Sequence, residues 1–420
     1  MYNKSQLPNG LRLATYKMAH RESAAVGIWV GAGGRYEDKV DNGIAHVLEH
    51  LSFKGTKKYS ATKIKETIEG LGGSLNAFTS EEYTCYLTKI VAKHLPLVID
   101  ILSDMVLNPS LLKKDLDKEK SVICEEIKMY RDLPQSYVYE LLDELIWPGH
   151  PLGMNLAGTI ESVSSITPQL LAGFHHRLYQ TANMVVSVCG NVGHRKIHKQ
   201  IAGIFGKENP KKNIEFVKVN ISQDKPRVNL FFKETEQSHL AIGYLGLERQ
   251  HPDRHALALL HIILGANMSS RLFNEVREKK GLAYEIGTQV KRLSDTGVFL
   301  VHAGVDNRKV VMAIATIFKE MEKISQKQVS RDEFTRAKEY YTGQLLLGLE
   351  DTLDHMLWLG EQEISLRKIK TIRDILKEIE TVDISDLRRV AKHIFRDNRL
   401  SLALIGPQSD SEKKEIMSVL

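Results

Sequence analysis

A chain of 420 residues is too long for one typical domain and long enough for two. Its 42% hydrophobic and 26% charged residues are those of a folded globular protein and argue against disorder. The net charge of +6 leaves 58 basic residues nearly balanced by 52 acidic ones, and no Lys/Arg tail is interleaved with aromatics, so nucleic acid is not an expected partner.

The N-terminal residues carry neither an apolar signal core nor an Arg-rich presequence pattern. Residues 11–16 and 24–30 read as strands, the second ended by the glycines of 31–34. Residues 43–53 read as a short buried helix before Gly55, and 60–71 as a helix stopped by Gly72 and Gly73. Residues 74–90 form an expected hairpin about a Ser-Glu-Glu turn. Residues 94–107 and 112–130 are amphipathic helices, and 184–189 is a strand. The three cysteines, Cys85, Cys124 and Cys189, are sparse and unpaired in spacing, which points to a reducing compartment. No run approaches the roughly 18 apolar residues of a spanning helix. The expectation is a soluble, cytoplasmic protein with no membrane partner.

Residues 206–226, polar and bounded by Pro210 and Pro226, are the candidate connection between halves. After them the order of elements returns: a strand at 241–247, helices at 254–265 and 269–279, a hairpin at 283–303 and a helix at 310–324. An offset of 210 places Gly55 on Gly265 and Gly72 near Gly281. The expected architecture is therefore two homologous α+β domains, at 1–210 and 227–420, joined by a linker at 211–226. Each would be a mostly antiparallel sheet flanked by helices. The same offset puts His46, Glu49 and His50 on Ala256, Leu259 and Leu260, so the second copy lacks the polar cluster of the first.

That cluster is His46-Val-Leu-Glu49-His50. On a helix, residues four apart lie one turn apart on one face, so both imidazoles can reach one ion. Zinc accepts neutral imidazole, and a catalytic site adds a third protein ligand and keeps one position open. Glu49 can lie beside the metal without binding it, placed to take a proton from the water the metal activates. This is the inverted form of H-E-x-x-H. The third ligand is expected to be a glutamate, and the 112–130 helix offers Glu119, Glu125 and Glu126. Glu119 and Glu126, two turns apart, share a face, so one can bind and the other orient a ligand.

With its flanks, from Gly31 to Glu37 and from His46 to Thr56, the motif resembles the N-terminal signature of the insulinase and pitrilysin-type metallopeptidases. The likeness is to the short-chain branch that contains mitochondrial and bacterial processing peptidases. That resemblance spans nearly the whole chain. It implies Zn²⁺ held by His46, His50 and, in a Val-x-x-x-Glu setting, Glu126. It also implies Glu49 as base and Glu119 as the carboxylate behind the ligands. Residues 73–79 resemble the family strand to which a peptide adds, which carries Asn76, Ala77 and Phe78 over as substrate-binding positions. In the second half, Arg277 and Tyr284 match an Arg/Tyr pair thought to face the zinc across a closed chamber and to bind substrate. His150, Tyr179 and Asn183 fit the pattern as structural residues, and His175 and His176 read as helix surface.

Long-chain members close a chamber from four such domains; the resemblance implies that this chain supplies half of a clamshell and forms a homodimer, since all the ligands are present. The expected activity is zinc-dependent endopeptidase cleavage of peptides or unfolded segments. The alternative is a non-catalytic core or regulatory subunit of the same fold that binds peptides or partner proteins. Such members usually lose the ligand set that this chain keeps.

Overall fold

The computed structural model describes residues 2–206, 214–220 and 222–420; the expected linker, 211–226, lies partly outside them. In chain order the first half gives β1 (Tyr2–Gln6), β2 (Arg12–Lys17), β3 (Ser23–Val30), α1 (Ile44–Ser52), α2 (Ala61–Gly70), β4 (Ser74–Thr79) and β5 (Thr84–Val91). There follow α3 (Leu95–Leu107), α4 (Lys113–Asp132), α5 (Pro134–Ile146), α6 (Ile160–Ser165), α7 (Pro168–Leu178), β6 (Met184–Gly190) and α8 (His194–Phe205). The second half gives β7 (Arg227–Phe232), β8 (Gln237–Leu245), α9 (Arg254–Gly265), β9 (Ala283–Arg292), β10 (Gly297–Asp306), α10 (Val310–Gln326) and α11 (Arg331–Leu347). It ends with α12 (Thr352–Leu366), α13 (Ile372–Glu380), α14 (Ile384–Ile394), β11 (Leu400–Gly406) and α15 (Asp410–Ser418). A π-helical stretch, Phe273–Lys279, stands where a regular helix was expected.

The strands build a six-stranded sheet, β1-β2-β6-β3-β5-β4, and a five-stranded sheet, β7-β11-β8-β10-β9. All pairings are antiparallel except β2 with β6 and β7 with β11. With β1 set aside, the sheets match strand for strand. The protein is thus an α+β molecule with a repeated helix-flanked sheet.

By contacts the chain forms two units that are not its sequential halves. One comprises Met1–Lys128, Met154–Val217 and Leu346–Lys370, and the other Met129–Gly153, Lys218–Leu345 and Thr371–Leu420. The halves expected from sequence therefore exchange a helix. Helix α12 packs on β2, β3 and β6 of the first unit, and α5 on β7, β8 and β11 of the second. The physical cause is that each sheet is apolar on both faces. In the first unit Leu13, Val26, Ile28 and Val186 face the core with α1, α3 and α4, while Ala25, Trp29, Val185 and Cys189 face Met356 of α12. In the second, Ala241, Val298 and Ala403 pack against Val138, Leu142 and Ile146 of α5.

A glycine in the third-placed strand of each repeat receives the exchanged helix. A Cβ at Gly27 would lie 2.5 Å from Met356 Sδ, and one at Gly243 would lie 2.8 Å from Ile146 Cδ1. Gly27→Val is therefore expected to cost about 1–3 kcal/mol, the usual penalty of overpacking. A denaturation midpoint equal to wild type would show that α12 does not bear closely on β3.

Candidate metal centre

Helix α1 is short because its ends are set by sequence. Gly43, at φ +90°, opens it where a Cβ would meet Ala157 O at 2.6 Å, and the chain turns away at Gly55, at φ +109°. Its apolar residues Ile44, Val47, Leu48 and Leu51 are buried in the core, which turns His46 and His50 together toward α4. The two rings lie 4.6 Å apart, centroid to centroid, at 71°.

Glu126 meets them there. Its Oε2 is 3.9 Å from His46 Nε2 and 3.8 Å from His50 Nε2. One donor atom from each residue falls within 4.8 Å of the others, and this is the metal-competent group found among the described residues. At 3.8–3.9 Å these atoms are too far apart to hydrogen-bond. Ligand bonds of about 2.0–2.2 Å let a single ion span such gaps with little adjustment. The donor set, two imidazoles and a carboxylate, is the His₂Glu type suited to zinc. Burial, and secondarily the neighbouring His50, lowers the His46 pKa to about 4, so its imidazole is neutral near pH 7 and keeps a lone pair for a metal. The side chains stay 15%, 23% and 27% exposed for His46, His50 and Glu126, so the site is open to solvent.

Around this trio the other carboxylates are sorted by contact. Glu119 Oε2 lies 3.1 Å from His50 Nδ1, which fixes the ring with Nε2 toward Glu126. Lys54 Nζ lies 2.5 Å from Glu119 Oε1 and neutralises it. Glu49 is buried, and the hydroxyl of Thr79 donates to its Oε2 at 2.6 Å. Burial raises the Glu49 pKa, while the Thr79 bond and His50 pull it down. Glu49 is not among the converging donors. Glu125 points to solvent and pairs with Lys128 at 2.7 Å. Thr79 and Lys54 were not singled out in the sequence. The alternation of β4 carries the signal for Thr79, since Leu75 and Ala77 pack on the same core as α1.

The expected substrate strand is β4, an edge of its sheet, and an edge offers unpaired backbone groups to an added strand. The side chains divide. Ala77 faces the α1 side, whereas Phe78 turns to the opposite face, against Trp29 and Tyr83 at ring distances of 5.9 and 6.3 Å. Asn76 is exposed and its Oδ1 accepts from Ala77 N at 2.9 Å.

In the second unit Arg277 and Tyr284 lie together. The guanidinium carbon is 5.3 Å from the Tyr284 ring and 4.6 Å from that of Phe273. Tyr284 is 76% exposed, unusual for an aromatic at the start of a strand. Asn183 donates to Gly31 O and Leu178 O, and the Tyr179 hydroxyl meets that of Tyr86 at 2.9 Å, both structural contacts. His175, expected on the surface, is partly buried and bonds Val106 O through Nε2 at 2.8 Å.

The matches to known proteins follow this geometry. Residues 12–160 match the model of the insulinase family, peptidase family M16, and residues 165–341 match the model described as the peptidase M16 inactive domain. An uncharacterized zinc protease of Bacillus subtilis is 35% identical over 411 residues, 98% of this chain and 99% of that protein. One from Streptomyces coelicolor is 35% identical over 419 residues, 98% of this chain and 91% of that protein. A crystal structure of a protease from Helicobacter pylori has the same fold, with a TM-score of 0.91 and 24% identity over 97% of this chain and 99% of that one. The stretch carrying the His, His and Glu trio is the one that matches the insulinase model, the stretch without it matches the inactive-domain model, and relatives named zinc proteases align end to end: the chain belongs to the insulinase family, peptidase family M16.

Proposed function

We propose that the protein is a zinc-dependent endopeptidase. The observation that carries this reading is the convergence of His46, His50 and Glu126 beside a separate, buried Glu49. These three residues would hold the ion, which when bound supplies Lewis-acid polarisation of the scissile carbonyl and acidification of water. Glu49 takes the proton of the attacking water and passes it to the leaving amine. Thr79 aims the Glu49 carboxylate, and Glu119, steadied by Lys54, holds His50 in the tautomer with a free Nε2. The free edge of β4 receives the peptide as an added strand, so substrates are unfolded segments whose backbone is accessible.

The test is elemental analysis of the purified protein together with mass spectrometry of peptides incubated with it. Close to one zinc per chain and internal cleavage are expected, both lost to a chelator. Zinc uptake with no cleavage of any peptide would favour a non-catalytic binding subunit instead.

The reading extends to assembly as a homodimer in which Arg277 and Tyr284 of one chain serve the metal centre of the other. Mixing Glu49→Gln and Tyr284→Phe chains, each inactive, should then restore activity, because a mixed dimer holds one intact site. No recovery after demonstrated subunit exchange, or full activity in a monomer by light scattering, would reject the shared arrangement.

A further inference from the structure

Helix α1 does not cap itself. The first N–H groups of a helix have no partner within it, and the residue at its start, Gly43, has no side chain to supply one. The acceptor comes from Glu37. Its Oε2 accepts from Gly43 N at 2.7 Å and from Asn42 Nδ2 at 3.0 Å, and its Oε1 accepts from Ala45 N at 2.9 Å. Ala45 immediately precedes the ligand His46.

Glu37 is 3% exposed and makes no ion pair among the described residues. Burial pushes its carboxyl up to about 8, against the pull of the three donors. Every group bonded to it donates, so a carboxylic O–H would find no acceptor among them. The positive end of a helix also favours the anion.

The arm that carries Glu37 is itself anchored. Gly34 N and Arg35 N donate to Ser80 O and Glu81 O at 3.2 and 2.8 Å. The Arg35 guanidinium donates to Glu82 Oε1 at 2.8 Å and to Val217 O at 2.9 Å, and lies 3.8 Å from the centre of the Phe216 ring. Residues 80–82 form the turn directly after Thr79. Glu37 thus ties α1, which carries Glu49, to the hairpin that presents Thr79 to Glu49.

The second repeat provides an internal comparison. There β8 reaches α9 through residues 246–253 alone, Asp253 makes no side-chain cap, and α9 bears no ligand pair. In the first repeat residues 31–43 span the same step and include Glu37. The longer connection accompanies the copy with the metal residues.

We infer that Glu37 is a positioning residue of the metal centre: as a buried carboxyl cap reaching α1 from outside the helix, it sets the helix so that His46 and His50 meet Glu126 and Glu49 meets Thr79. This rests on the metallopeptidase reading above. The test is Glu37→Gln in the full chain, which keeps the shape but turns one accepting oxygen into a donor facing donors, with Glu37→Asp, which keeps both oxygens and shortens the arm, as the second variant. For each, the melting of the metal-free protein, zinc affinity by chelator competition, the visible spectrum of the cobalt-loaded protein, and kcat and KM on a peptide are measured.

Expected is zinc binding weaker by about 10–100-fold, as for other groups behind metal ligands, with shifted cobalt bands and a fall in kcat at little-changed KM. Should Glu37→Gln not fold, the same shifts in Glu37→Asp support the inference. Wild-type zinc affinity and an unshifted cobalt spectrum in a folded variant overturn this inference alone. Wild-type protein that takes up neither zinc nor cobalt overturns the metallopeptidase reading and this inference with it.

Discussion

Glu49→Gln should reduce peptide hydrolysis by at least about 10²–10⁴-fold, the loss that follows removal of a general base, while zinc content stays that of wild type. The amide cannot take a proton from water, but its oxygen can still accept the Thr79 hydroxyl that now bonds Glu49 Oε2. The substitution also replaces a buried carboxylate with a neutral group of the same shape, so the fold is not expected to suffer. Zinc is retained because Glu49 is not one of the three residues whose donor atoms converge. Activity near wild type would remove Glu49 from the mechanism. Loss of zinc would make it a ligand.

Glu126→Gln should strip the metal, whereas Glu125→Gln, its immediate neighbour, should leave it in place. Glu126 faces both imidazoles, while Glu125 is exposed and paired with Lys128, where substitutions typically change stability by less than about 0.5 kcal/mol. Glu119→Gln should fall between them, weakening metal affinity or activity by about 10–100-fold, because it orients His50 without binding the ion. Elemental analysis of the three variants checks the order. Equal zinc in the Glu125 and Glu126 variants would refute it.

Helix α1 and its adjacent histidine pair were legible because two local rules agree there: a four-residue spacing of histidines, and glycines at both ends of a short apolar run. The offset of 210 also aligned α1 with α9, since both copies keep that helix. It drifts elsewhere, with β6 and β11 lying 216 apart at their first residues, because the connections differ in length. Thr79 escaped because a threonine in a strand gives no sign of which carboxylate it will meet. The helix exchange escaped for a related reason. Helices α5 and α12 go unassigned in the sequence: the buried face of α12 mixes Met356 and Leu359 with Thr352, His355 and Glu363, and no local pattern says which of two similar sheets a helix will cover. The short runs that became β7 and β11 go unassigned because their pairing, parallel with each other, is set by distant partners; β1 pairs only with its neighbour β2 and is a short, mostly polar run.

The exchange of α5 and α12 also orders events in time. A chain is made from its N-terminus, and domains generally fold as they emerge. The metal-bearing unit cannot do so in the usual way, since its last segment is Leu346–Lys370. Until that segment leaves the ribosome, Trp29, Leu87, Val185 and Cys189 lack the helix that covers them. A ribosome stalled after residue 217 therefore holds His46, His50 and Glu126 on helices packed on a sheet whose other face is bare and apolar. Completion of the metal-bearing unit is thus deferred until nearly the whole polypeptide has been synthesised.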